Sequence, residues 1–324
     1  MISMVTPRAL ASFVVAAAVL PLAACLPLDG RAERHLVQNE PAPKSLEISS
    51  MFLDVDVALA ATSEVGVRAD VVLQTSGGNE TAEREIEHVT VHVVRDGDKL
   101  VVRQGDANSS WNFSGNHSGN GKISVTLPAN IPLAIKTASG DVHMSGDFGA
   151  TDVNIATASG DMALRGLGVN SLTVNTASGD AAIDVLRPLA KFRFEAASGD
   201  LGFKGGADAV DVSTASGDVA VSGLRGPATV NTASGDVKLL WSDTASLPAT
   251  TSIVISTASG DVGLTLPKGT DPAGSISTAS GGIASEAPIQ VAGRLGSSSG
   301  SFMGKGPTLR ISTASGDVTI HLLP

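Results

Sequence analysis

Tyrosine is absent, and two tryptophans with eight phenylalanines bring the aromatic content to only 3%. That excludes a thick interior built on large rings. A core of Val, Ile, Leu and Ala around 36 glycines suits thin stacked layers instead. The lone cysteine, Cys25, excludes an intrachain disulfide and a cysteine-based metal cluster. Basic residues are short as well: 22 Lys and Arg stand against 32 Asp and Glu, a net charge of −10. Nucleic acid, whose phosphates demand basic patches, is thereby excluded as a partner, and electrostatic adhesion to anionic lipid is disfavoured. Apolar residues are plentiful: 42% of the 324 residues are hydrophobic, enough to bury a core and to rule out wholesale disorder.

An apolar run from Ala9 to Leu22 follows Arg8 and closes on Leu22-Ala23-Ala24-Cys25. It is too short to span a bilayer comfortably and ends in small residues, so residues 1–24 read as an export signal. Leu-Ala-Ala-Cys resembles the bacterial lipobox, which implies cleavage before Cys25 and lipid attachment to that cysteine. The plainer alternative is an ordinary cleaved signal that contains a cysteine. Acyl chains contribute about 0.8 kcal/mol per buried methylene, so lipidation would hold the chain durably on a membrane. By the same resemblance, Leu26 in place of Asp implies the outer membrane if the organism is Gram-negative. Residues 25–45, with Pro41, Pro43 and mixed charges, read as the lipidated cysteine and a flexible tether.

Residues 46–135 read as a β-rich N-terminal part, or cap. The runs Thr90–Arg95 and Leu100–Val102 flank Asp96-Gly97-Asp98, a hairpin signal. Residues 106–121 are rich in Gly, Ser and Asn and read as a mobile loop carrying Trp111 and Phe113. Over 136–324, Ser-Gly recurs with its serine at 139, 159, 178, 198, 216, 234, 259, 280, 299 and 315. Seven copies read Thr-Ala-Ser-Gly-Asp in full, and the intervals run from 16 to 25 residues. Such a period signals a repeat architecture.

The unit Val210 to Val221 shows the logic. Val210 and Val212 alternate with polar residues, as a half-buried strand requires. Past Gly217-Asp218 the apolar positions become Val219 and Val221, so the phase shifts by one at a corner. Glycine fits a corner that needs positive φ, and the small Ala should let layers sit closely. One coil cannot bury its own apolar face; stacking in register does. The fold class is therefore all-β: a single-stranded, right-handed β-helix (β-solenoid) of ten coils of 16–25 residues, with an antiparallel meander as the competitor.

The repeated Thr-Ala-Ser-Gly-Asp-Val, preceded by Val-Thr-Leu-Pro (125–128) and Leu-Ala-Ile-Lys (133–136), resembles bacterial β-strand-repeat domains of unknown function often labelled candidate adhesins. The resemblance covers about residues 46–324. It implies a β-helical fold and says little about activity. The pattern is broken at Gly282 and Ser301, where the Asp is missing, and near 241–250, where about six residues are inserted.

Stacking would align Asp141, Asp161, Asp180, Asp200, Asp218, Asp236 and Asp261 in a column, with Asp317 beyond a gap. Charges about 4.8 Å apart repel by roughly 1 kcal/mol in water. The column either attracts divalent cations weakly, since calcium favours oxygen ligands, or caps turns by accepting backbone hydrogen bonds. The Gly-Gly-x-Gly-x-Asp calcium spacing is absent. None of the six histidines (35, 88, 92, 117, 143, 321) recurs with the repeat, so the Thr/Ser column lacks a general base and reads as a structural ladder. His88 and His92 lie about 13 Å apart on a strand, too far for one metal. Trp111, Phe113 and Trp241 either contact a partner or seal coil edges.

These readings favour a non-enzymatic, membrane-anchored envelope lipoprotein that presents its solenoid for adhesion, scaffolding or binding to an envelope protein or glycan. The alternative is an envelope sensor or regulator binding a glycan or peptide. More remote is a β-helix carbohydrate-active enzyme, which the short uniform coils disfavour. No catalytic residue is nominated. The chain stops at Pro324, seven residues after Asp317. Either Leu322-Leu323-Pro324 folds over an open solenoid end, or that end self-associates.

Overall fold

A computed structural model describes residues 28–105, 116–294 and 297–324. The export signal, Cys25, Trp111 and Phe113 lie outside the described residues. Each repeat folds as the alternation demands. In Val210–Ser216 the side chains of Val210, Val212 and Thr214 are buried; in Val219–Leu224 those of Val219 and Val221 are. The first strand joins a 14-stranded sheet and the second a 13-stranded sheet, with Ser-Gly-Asp as the corner between them. Successive coils pair in parallel, Val210 with Ala228, Val212 with Val230 and Thr214 with Thr232. Like residues therefore stack on like, and the all-β solenoid expected from the repeats is the fold. Parallel pairing through the repeats also removes the meander. At about 4.8 Å per strand, twelve spacings give the 13-stranded sheet a length of about 58 Å.

Among the described residues antiparallel pairing appears only towards the two ends, and there the structure departs from the sequence reading. Residues 30–41 are no tether: Gly30–Pro41 is a strand paired along its whole length with Glu64–Thr75. Its apolar signal is faint because only Ala32 and half-buried Leu36 point inward, while its charges find partners. Arg34 bridges Glu83 and Glu87, and His35 Nδ1 lies 2.6 Å from Asp70. Residues 117–121 of the expected loop instead open the strand His117–Leu127. The Asp-Gly hairpin forms as read, Val91–Asp96 against Lys99–Gln104. A helix, Gly78–Ile86, has no counterpart in the sequence reading; it buries only Ala82 and Ile86, too few positions to show a helical period. It packs on Gly30–Pro41 and Glu64–Thr75 and caps the N-terminal end.

The C-terminal end is interleaved. In the 14-stranded sheet, Thr308–Ser315 pairs with Ser252–Ser259 on one side and Ala273–Ser280 on the other. Val318–Leu322 is likewise held between Val262–Leu266 and Ile283–Ser285. The last coil in sequence is thus next to last in space, and the premise of an open end at Pro324 does not hold. Beyond it, Gln290–Arg294 and Ser297–Met303 form an antiparallel hairpin against Ala273–Ser280. The Ser-Gly at 299 lies inside that hairpin and is not a corner, because antiparallel pairing replaces the coil turn there.

Candidate functional site

The aspartate column exists, and each member has a backbone task. The Oδ1 of Asp54 accepts from the N–H of Asp141, Asp141 from Asp161, and so on through Asp180, Asp200, Asp218, Asp236, Asp261 and Asp317 to Gly282, nine bonds of 2.7–3.0 Å. The carboxylates cap the next coil's corner, which explains their spacing by turn chemistry. Two apparent irregularities resolve. Gly282 belongs to the final coil of the stack, where no further corner needs an acceptor, and Asp54 is a corner that lacks the Ser-Gly signal. Among the described residues no group of three or more His, Cys, Asp or Glu is placed to hold a metal ion. His88 sits in the short turn Glu87–Val89 and His92 in the following strand.

The other motif residues are absorbed by the fold too. Gly217 has φ +127°, and a Cβ there would lie 2.1 Å from the Gly199 carbonyl oxygen, so only glycine fits. The threonine hydroxyls of 176, 214, 232 and 257 donate to the serine carbonyl two residues on, at 2.8–3.1 Å. At these four corners the expected ladder is therefore a bond inside the corner, whereas Thr278 donates across to the Gly316 carbonyl at 3.1 Å and the hydroxyls of Thr157 and Thr313 have no partner among the described residues. The motif alanines do not mediate close layer contact; Ala215 and its equivalents are exposed, because the strand phase turns them outward. Trp241 is buried and its Nε1 donates to the Gly226 carbonyl at 3.0 Å, so it seals the core.

Away from the motif, the outer face of the 13-stranded sheet carries a furrow of 720 Å³, within the size range of small-ligand sites. Outward residues run across the strands in two rows, Gly202, Ala220, Lys238, Gly263 and Thr319 in one, Ser222, Leu240, Thr265 and His321 in the next. Lys238 and Leu240 rise from one strand, and beside them Ala220 and Gly263 offer no more than a methyl group. The floor is low on both sides. Asp236, Asp261 and Asp317 form one rim. Lys238 has no ion-pair partner among the described residues. At the far wall His321 Nδ1 lies 3.1 Å from Glu286 Oε1. The Glu286 carboxyl is held below the usual carboxylate range by the Leu322 N–H, at 2.7 Å, and then by His321.

Sequence reasoning named Asp236, Asp261 and Asp317 but missed Lys238, Leu240 and Gly263. A signal was present in the repeat frame. The second residue after the corner aspartate faces outward, and it is Ala or Gly at 163, 182, 202, 220 and 263 but His at 143, Lys at 238 and Thr at 319. Only the register shows that these positions adjoin.

A family model described as Toastrack DUF4097 matches residues 44–321. No curated protein matches the chain. Similar solved structures include a candidate adhesin from Bacteroides fragilis, 12% identical, with a TM-score of 0.39, covering 90% of this chain and 97% of that one. A candidate lipid binding protein from Parabacteroides distasonis is 12% identical with a TM-score of 0.49, covering 91% and 97%. A candidate adhesin from the same species is 11% identical with a TM-score of 0.39, covering 90% and 97%.

Proposed function

This chain belongs to the Toastrack DUF4097 family, and on that premise we propose that it is a non-enzymatic, membrane-anchored envelope protein whose solenoid binds a partner through the outer face of the 13-stranded sheet. The observation that carries the reading is how the polar groups are used. The motif carboxylates are engaged by the stack and most motif threonine hydroxyls are bonded at the corners, whereas among the described residues Lys238 at the furrow has no ion-pair partner and Leu240 is 39% exposed. Exposed, unengaged groups of mixed chemistry around a concavity suit recognition.

Anchoring rests on the Leu-Ala-Ala-Cys segment, with Cys25 as the lipidated residue and the outer membrane as the site in a Gram-negative cell. Four residues lie between Cys25 and the first strand at Gly30, and the five steps reach at most about 18 Å. The N-terminal cap then lies against the bilayer. The furrow begins seven strands further along the stack, about 34 Å away, clear of the headgroups.

The test has two arms. Labelled palmitate should enter the wild-type chain and not Cys25→Ser. The Cys25→Ser chain should co-sediment with isolated envelope fragments, and Lys238→Glu with Leu240→Glu should abolish that. Equal sedimentation of both proteins, or of neither, sinks the binding reading.

A further inference from the structure

Resting on that reading, we propose that the furrow over Gly263 is a subsite for an uncharged glycan, a chain of hydroxyl-bearing pyranose rings lying across the strands. The first argument comes from two glycines. Neither Gly202 nor Gly263 has a left-handed φ, and a Cβ at either would meet nothing nearer than 3.8 Å. A strand glycine is destabilising relative to alanine, so backbone and packing both leave these glycines unexplained. Retained floor space explains them. Leu240 and Lys238 stand on one side of Gly263, Thr319 and His321 on the other, two strand spacings or about 10 Å apart. A single ring laid flat fills that width.

The chemistry of the walls selects the ligand. Thr265 and Thr319 offer hydroxyls that donate or accept, Lys238 only donates, and His321 is oriented by Glu286. Each rim carboxylate uses Oδ1 in the ladder and keeps Oδ2 for a ligand hydroxyl. That alternation of donors and acceptors matches a ring bearing several hydroxyls. A polyanion would face Asp236, Asp261 and Asp317 on a chain of net charge −10. A lipid tail would find only Leu240 as a large exposed apolar contact within the furrow. The furrow crosses the strands from Leu201–Lys204 to Val318–Leu322, four spacings or about 19 Å. Lys238 and Leu240 stand across its middle, so one ring lies on either side of that ridge, over Ala220 and over Gly263.

The test uses the Cys25→Ser chain in direct calorimetric titration with cellotetraose, maltotetraose and chitotetraose, and with tetragalacturonate as the charged control. At least one neutral tetrasaccharide should bind, and tetragalacturonate should bind at least tenfold more weakly. Gly263→Val, whose added methyls occupy the floor, should lose at least tenfold in affinity with a melting temperature no lower than that of the parent chain. Should that variant misfold, Thr319→Val reports on the same wall and should also weaken binding. Absence of binding to all three neutral sugars, preference for the anion, or equal affinity of folded Gly263→Val overturns the inference. The envelope assay separates the two readings. If sedimentation is sensitive to Lys238→Glu but is destroyed by protease treatment of the envelope and not competed by sugars, the partner is a protein; the binding role then stands and the glycan assignment falls.

Discussion

The Asp261 carboxylate accepts a hydrogen bond of 2.8 Å from the N–H of Asp317, a residue 56 positions later in the chain. From Asp141 to Asp261 the same bond joins residues 18–25 positions apart. The chain leaves the stack after Leu266, builds Ala273–Ser280 and the hairpin beyond it, and returns to place Thr308–Leu322 in the gap. The corner at Asp317 thus bonds to both neighbours, Asp261 below and Gly282 above.

Ending the chain at Pro307 should therefore do more than shorten the rod. Ala273–Ser280 would lose its parallel partner, and Ser252–Ser259 would become a bare edge that invites pairing with other chains. Size-exclusion chromatography should show oligomers or aggregate, and amide exchange should accelerate across residues 252–266 and 273–303. A monomer with unchanged protection over those residues would contradict the interleaved stack.

Asp200 separates acceptor geometry from charge. Asp200→Ala leaves the Asp218 N–H without its acceptor and should lower stability by about 1 kcal/mol in urea titration. Asp200→Asn keeps an oxygen in place and removes a charge from the column, so it should be near neutral. Equal losses in the two variants would show that the charge itself matters.

Two glycine-to-alanine changes should have opposite signs. Gly217→Ala requires a strained φ and drives Cβ to 2.1 Å from a carbonyl oxygen, so it should lose about 3 kcal/mol. Gly263→Ala meets only ordinary contacts and stiffens the unfolded chain, so it should gain about 0.5 kcal/mol. Parallel denaturation curves on both variants decide the matter.

Acid should weaken the N-terminal part through Glu47. Its carboxyl is held below the usual carboxylate range first by Lys99 and then by Lys136, whose Nζ lies 3.0 Å away. The folded-state value is the lower one, so the unfolded chain takes up the proton first. The stabilisation is complete above the unfolded value near about 4.3 and is lost as pH falls through the folded value. Glu47→Gln should therefore reduce stability at neutral pH and flatten its decline on acidification below about pH 5. Melting temperatures of both proteins between pH 3 and pH 7 provide the check.

Much of the coil was legible because its rules are local. A Val-x-Val run before the corner, a glycine that must take positive φ and an aspartate two residues from Ser need only near neighbours to be interpreted. The N-terminal strand was illegible for the opposite reason. Arg31, Arg34 and His35 look like a solvated charge run until Glu33, Glu87 and Asp70 are seen beside them. At the furrow, Asp236 and Asp261 were visible as motif members, but Lys238 and Gly263 acquire meaning only from cross-strand register.

By itself, then, the sequence determined the coil: which side chains go inward, where the chain turns, and that the coils stack with their aspartates in a column. The tertiary structure alone decided the order of the coils, the fate of Ser299 as a hairpin residue, and the residues that meet across the outer face. The physical reason is that near-identical corners are interchangeable partners. Any Thr-Ala-Ser-Gly-Asp coil can cap any other, so the motif cannot specify its neighbour. Connection lengths and the available sheet edges select it.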